Sequence, residues 1–94
     1  MTEPLADIRQ ALRGVLDPET GRDLIAMGMI YDIRFAAGTA HVTMTTTTRG
    51  CPLTGMLRTG VEAALLALPG IEAAEVTLTW DPPWTPDLIE PLPQ

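Results

Sequence analysis

Apolar residues along this chain recur first at helical and then at alternating spacing. Leu5, Ile8, Leu12 and Val15 fall three and four apart with Arg9, Gln10 and Arg13 between them, which predicts an amphipathic helix over about 4–16. Pro4 suits its first turn, where its missing N–H has no helical partner to lose. Asp17-Pro18-Glu19-Thr20-Gly21 then breaks the period, because a residue before proline is pushed out of the α region and glycine tolerates a turn. This loop carries two carboxylates, and Asp23 adds a third. Residues 24–28 are mostly apolar but too few to choose a period. From Met29 the pattern alternates: Met29, Tyr31, Ile33 and Phe35 are expected on one face of a strand, with Asp32 and Arg34 on the other. Ala36-Ala37-Gly38-Thr39 can close a hairpin. A second strand would then place Ala40, Val42 and Met44 inward and His41, Thr43, Thr45 and Thr47 outward.

The run of threonines at 45–48 favours extended backbone, whereas Pro52 followed by apolar residues at 53, 57, 61, 64, 65 and 68 predicts a second helix over about 52–68. Pro69-Gly70 supplies its stop. Gly55 and Gly60 each weaken a helix interior by roughly 1 kcal/mol relative to alanine, so they point to a close backbone approach or a mobile first turn. A third strand over 71–80 alternates Val76, Leu78 and Trp80 against Glu75, Thr77 and Thr79, and its place after a helix suggests a right-handed crossover. The expected fold is α/β in the two-layer α+β sense: order α-β-β-α-β, two helices on one face of a three-stranded sheet. With the last strand beside the first, every neighbour would be antiparallel, and the other sheet face could meet water. The chain reads as a single domain over 1–94, its residues 81–94 forming a proline- and tryptophan-rich C-terminal segment with one helical turn capped by Thr85.

Composition narrows the function. Ninety-four residues bury only roughly 60–65% of the surface of the unfolded chain, so the core is shallow and a homodimer or a partner is a natural expectation. Hydrophobic residues make up 46% of the chain and aromatic ones 4%, which implies an ordered domain packed by aliphatic and methionine side chains. Neither a membrane-length apolar run nor a signal-peptide pattern is present, and a cytoplasmic location is expected. The net charge is -6, and it is unevenly placed. Residues 1–58 hold six acids and all six arginines, whereas residues 59–94 hold six acids and no base. Such a chain repels phosphate backbones and anionic lipid, so neither nucleic acid nor membrane is an expected partner.

The chemistry concentrates at the junction Thr46-Thr47-Thr48-Arg49-Gly50-Cys51-Pro52, where strand gives way to helix. The lone Cys51 is expected at or near a helix N-cap, facing unpaired N–H groups and the positive end of the helix dipole with Arg49 nearby. All of these favour thiolate over thiol. The competing reading is a small packed hydrophobe, the common fate of a free cysteine. One cysteine cannot close a disulfide or a structural zinc site. His41 lies ten residues upstream, some 30 Å away along a straight strand at roughly 3.3 Å per residue, so a Cys–His catalytic pair is not expected. Asp17, Glu19 and Asp23 serve either as turn residues or as carboxylates brought over the start of the second helix. Trp80 and Trp84 either cover an edge strand or mark a partner site. No nucleotide-, protease- or hydrolase-type motif occurs.

Four blocks together resemble one known family. They are Asp17-Pro18-Glu19; Leu24-Ile25-Ala26-Met27-Gly28-Met29-Ile30-Tyr31-Asp32-Ile33; Thr46-Thr47-Thr48 before Gly50-Cys51-Pro52; and Trp80-Asp81-Pro82-Pro83-Trp84-Thr85. Their order and spacing resemble the small iron–sulfur cluster assembly domains that include PaaD-like and SufT-like proteins. That resemblance implies an α/β two-layer domain similar to the NifU C-terminal domain and a role in maturing iron–sulfur proteins. It marks Cys51, Asp17 and Glu19 as the characteristic positions. PaaD proper continues into a cysteine-containing extension that this sequence lacks, which favours a stand-alone assembly factor. The expectation is therefore a non-enzymatic factor with a transient iron–sulfur cluster and no tightly bound cofactor. Cys51 would be cluster ligand or sulfur acceptor, Asp17 and Glu19 accessory, and Trp80 and Trp84 the contact with client or scaffold iron–sulfur proteins. The alternative is a metal-free adaptor that recruits a client or assembly partner. A thiol redox enzyme would need a resolving cysteine, which is missing.

Overall fold

The computed structural model describes residues 4–18, 20–46 and 54–89. Helix α1 (Pro4–Leu12) leads through a long turn to strand β1 (Ile30–Ala36), which pairs antiparallel with β2 (Thr39–Met44). Helix α2 (Thr54–Leu66) then returns the chain to β3 (Ala73–Leu78), and a short 3-10 turn (Pro86–Leu88) follows. The sheet order is β1-β2-β3 and the sheet is mixed, because β3 runs parallel to β2. The last strand thus lies beside the second and not the first, so the all-antiparallel case that the sequence left open is not the one adopted. Helix α2, 13 residues and about 20 Å long, carries the chain back to the end where β2 began, so β3 runs in the direction of β2, and its pairing with β2 rather than β1 makes the sheet mixed.

Both helices cover one sheet face. Ile8 and Leu12 of α1, with Leu57, Val61 and Leu65 of α2, form one buried cluster with Ala40, Val42, Met44 and Val76 of the sheet. On the opposite face the register aligns Arg34 with His41 and His41 with Glu75, and beside them Asp32 with Thr43 and Thr43 with Thr77. That face carries threonines and charged side chains and lies away from α1 and α2.

Several boundaries shift from the sequence pattern for identifiable reasons. Helix α1 stops at Leu12, so Val15 and Leu16 leave its face. Leu16 is 55% exposed, and its backbone bridges to Asp23. The register of β1 slips between Ile30 and Asp32, so Ile30 rather than Tyr31 pairs with the inward Met44, and Ile33 and Phe35 stay on the core side. Strand β2 ends at Met44. Thr45, expected outward, is fully buried because its N–H donates to Met29 O at 2.8 Å. The hairpin has a two-residue turn in which Ala37 and Gly38 have φ of 51° and 80°, as a type I′ connection requires.

Candidate functional site

The turn from 13 to 29 is built by its own hydrogen bonds. The Asp17 N–H donates to Arg22 O, the Gly21 N–H to Asp17 O, each at 2.8 Å, and the Leu24 N–H to Val15 O at 3.0 Å. Asp17 is only 5% exposed, and Thr20 Oγ1 donates to its Oδ2 at 3.1 Å. A buried carboxylate needs such partners to offset lost hydration. Asp23 pins the far side of the turn, since its Oδ1 accepts the Ala26 N–H at 2.8 Å and lies 3.5 Å from Arg13 Nη1. Helix α2 reaches this turn. A Cβ on Gly60 would lie 3.4 Å from Val15 Cγ1, so the backbone approach expected at the helix glycines is present there, whereas Gly55 has open space. The Asp17 loop and α2 are thus neighbours through Val15. Glu19, Cys51 and the flanking residues Thr47, Thr48, Arg49, Gly50 and Pro52 lie outside the described residues. Thr46 and Thr54 are the described residues on either side of the Cys51 segment. Thr46 is buried at the end of the sheet, and Thr54 Oγ1 is buried with no hydrogen-bond partner among the described residues.

The two tryptophans belong to one C-terminal strap, residues 79–89, folded back over the molecule. Trp80 Nε1 donates to Thr46 Oγ1 at 3.0 Å, so the indole ties the strap to the residue from which the Cys51 segment departs. Trp84 Nε1 donates to Met27 O at 2.7 Å, and the Tyr31 hydroxyl donates to Pro82 O at 2.9 Å. Gly28, with φ of 72°, lies against the backbone and Cβ of Leu88. The indole N–H groups therefore bond within the chain, and the outer side of the strap remains exposed at Asp81, Pro82, Asp87 and Leu88. Three of these contacts escaped the sequence reading: Thr46 as the Trp80 partner, Gly28 as a seat for the strap, and Tyr31 as its clasp. Only Gly28 gave a signal, a glycine inside an apolar run. His41 sits on the open sheet face with Nδ1 3.1 Å from Glu75 Oε2. Among the described residues no three His, Cys, Asp or Glu side chains gather as a metal site. No helix among them is long and apolar enough to cross a membrane.

Residues 5–78 match the family model described as iron-sulfur cluster assembly protein. The chain belongs to that family. It is 43% identical over 89 residues to the Fe-S protein maturation auxiliary factor YitW of Bacillus subtilis, covering 93% of this chain and 87% of that one. It is 37% identical over 76 residues to the maturation auxiliary factor SufT of Staphylococcus aureus, covering 80% and 86%. It also matches an iron-sulfur cluster carrier protein of Synechocystis at 40% identity over 72 residues, but only 20% of that longer chain is involved. Among solved structures, a domain of unknown function, DUF59, from Bacillus anthracis superposes with a TM-score of 0.86 at 32% identity, covering 92% of this chain and 83% of that one. A conserved hypothetical protein from Thermotoga maritima gives 0.82 at 40% identity, covering 97% and 88%. Family and two-layer α+β fold both agree with the expectation drawn from the four sequence blocks.

Proposed function

We propose that this chain is a non-enzymatic iron–sulfur cluster assembly or transfer factor that helps mature client iron–sulfur proteins. The observation that carries the reading is its 43% identity, over 93% of its length, to a protein named as a maturation auxiliary factor. In this reading the cluster is cargo. Clusters are usually held by four cysteine ligands, and a chain with one cysteine can anchor a cluster only with help from a second subunit, a partner, a small thiol or carboxylates. An incompletely ligated cluster leaves easily, which suits transfer to a client. Cys51 is the ligand or sulfur-accepting thiolate, and Asp17 and Glu19 are accessory carboxylates. The tryptophans serve partner recognition by holding in place the strap whose outer side meets a partner.

Anaerobic reconstitution with iron and sulfide tests this on wild type and Cys51→Ala. The expected result is iron content and visible absorption in wild type that the variant loses, together with activation of an apo client by the loaded wild type alone. Equal loading of the two proteins refutes the ligand role. The metal-free adaptor draws its support from the exposed apolar side chains Leu16 and Met56, which could recruit a client without a cluster. Alkylation separates the readings: a thiolate-like Cys51 reacts rapidly below pH 7, whereas a packed thiol reacts only on unfolding.

A further inference from the structure

The face of the sheet away from the helices holds an open trough of about 760 Å³, between the strap and the outward residues of the strands. Tyr31, Thr43, Thr77, Asp81, Pro82 and Leu88 are among its walls. A second hollow of about 450 Å³, lined in part by Asp32, Arg34 and His41, also touches Thr43 and Thr77. The two therefore run together across the cross-strand row Asp32–Thr43–Thr77. Threonine methyls, the Tyr31 ring, Pro82 and Leu88 give the floor and one rim apolar surface, and Leu88 is 41% exposed. Asp32 is paired with Arg34 at 2.7 Å and Glu75 with His41 at 3.1 Å. Asp81, on the rim, has no cationic partner among the described residues; its part of the trough is lined by no base, and Arg34 and His41 of the adjoining hollow face Asp32 and Glu75.

We infer that this trough docks a basic amphipathic helix of a protein partner. Three arguments select that occupant. The N–H and C=O groups of a sheet lie in its plane and are used by the ladder, so an extended peptide lying on the face would leave its own backbone unsatisfied. A helix satisfies its backbone internally and offers an apolar stripe. About 14 helical residues span about 20 Å, the length of these six- and seven-residue strands, and would add a third layer to a two-layer domain. Charge decides the flanks of the stripe: the strap that forms one rim carries the exposed acids Asp81 and Asp87 and no base over residues 79–89, and Asp81, which lines the trough, stands ready for an arginine or lysine. The same charge disfavours a second copy, since face-to-face pairing would bring two acidic rims together. The inference names a partner class for the proposed assembly role but does not draw on Cys51.

The test uses a synthetic helix of about 18 residues, long enough to be helical, with leucines at i, i+4, i+7 and i+11 flanked by arginines. A glutamate-flanked counterpart and a scrambled arginine peptide serve as controls. Titration of the full chain, followed by amide NMR, is expected to show saturable shifts centred on Thr43, Thr77 and Asp81 for the first peptide only. Thr77→Arg is expected to weaken binding about tenfold and Asp81→Lys about fivefold, with the amide spectrum confirming the fold of each variant. Cys51→Ala is expected to bind as wild type, so a failure of the thiolate reading and a failure of this one are told apart. The inference is overturned by equal binding of the three peptides, by shifts mapping elsewhere, by no saturable binding, or by self-association through this face.

Discussion

Gly28→Ala tests the strap directly, because the damage it does can be worked out against an internal control. Gly21 and Gly28 have nearly the same backbone, with φ of 73° and 72°, so an alanine at either position incurs the left-handed penalty of about 1–2 kcal/mol. They differ in surroundings. A Cβ on Gly21 meets nothing within 4 Å, whereas one on Gly28 would lie 2.6 Å from Leu88 Cβ and 2.7 Å from the Leu88 carbonyl carbon. Much of that clash is with backbone, so the strap must lift. Lifting it gives up the Trp84–Met27 hydrogen bond, about 1 kcal/mol, and part of the apolar burial of Trp84 and Ile89, about 1–2 kcal/mol. Gly28→Ala should therefore cost about 3–5 kcal/mol against about 1–2 for Gly21→Ala. At roughly 4–8 °C per kcal/mol for a domain of this size, thermal melts should fall by about 12–40 °C and about 4–16 °C respectively. Tryptophan emission should shift red in the first variant only, as Trp84 leaves its half-buried site. Equal melting losses with unchanged emission in both variants would refute the packing of 79–89 on 24–29.

Two further predictions address the turn and the helix phase. Ala37 occupies the left-handed region at φ 51°, where asparagine is tolerated better, so Ala37→Asn should stabilise the hairpin by about 0.5–1 kcal/mol, read as a higher denaturation midpoint at unchanged m-value. Leu65 is fully buried and Leu66 is 51% exposed. Leu65→Ala should thus cost about 2–5 kcal/mol in denaturant unfolding and Leu66→Ala less than about 0.5, and a reversal of that order would mean α2 is rotated about its axis.

The order of elements and the core side of each were legible because periodicity reports burial, and burial is what orders a small fold. Ile8, Leu12, Ala40, Val42, Met44, Leu57, Val61, Leu65 and Val76 all lie in the core where their spacing put them. Strand neighbours were not legible, since Val76 and Leu78 look the same whether β3 lies beside β1 or β2. The crossover through α2 fixes the direction of β3, but which edge of the hairpin it joins is a long-range choice that no local pattern encodes. Nor was the slip at Tyr31, because a bulge exchanges one alternating pattern for another. Thr45 misled for a related reason: a threonine suits an outward strand position and a buried hydrogen-bonded one equally, and its N–H is taken by Met29 O. At the candidate site, the turn character of Asp17 and Asp23 followed from local chemistry, whereas the contact between Val15 and Gly60 that brings this turn to α2 is a long-range fact no local pattern encodes.

The strap gives these separate parts a shared mechanical consequence. Through Trp80 it holds Thr46, the last described residue before the Cys51 segment. Through Trp84 and Leu88 it holds residues 27 and 28, and residue 27 donates its N–H to Asp23 O in the turn that begins at Asp17. One segment therefore bears on both sequence regions that the family resemblance marks, the acidic turn and the approach to the cysteine, while its outer side borders the open sheet face. The family model ends at Leu78, the last residue of β3, so the strap lies beyond the matched range. The match to the Bacillus subtilis maturation factor, covering 93% of this chain, necessarily runs on into it. A partner bound at Asp81 and Leu88 would press on the same segment that restrains Thr46. Such a partner would therefore bear on Thr46 and Gly28 through the strap's own hydrogen bond and packing, rather than through the core.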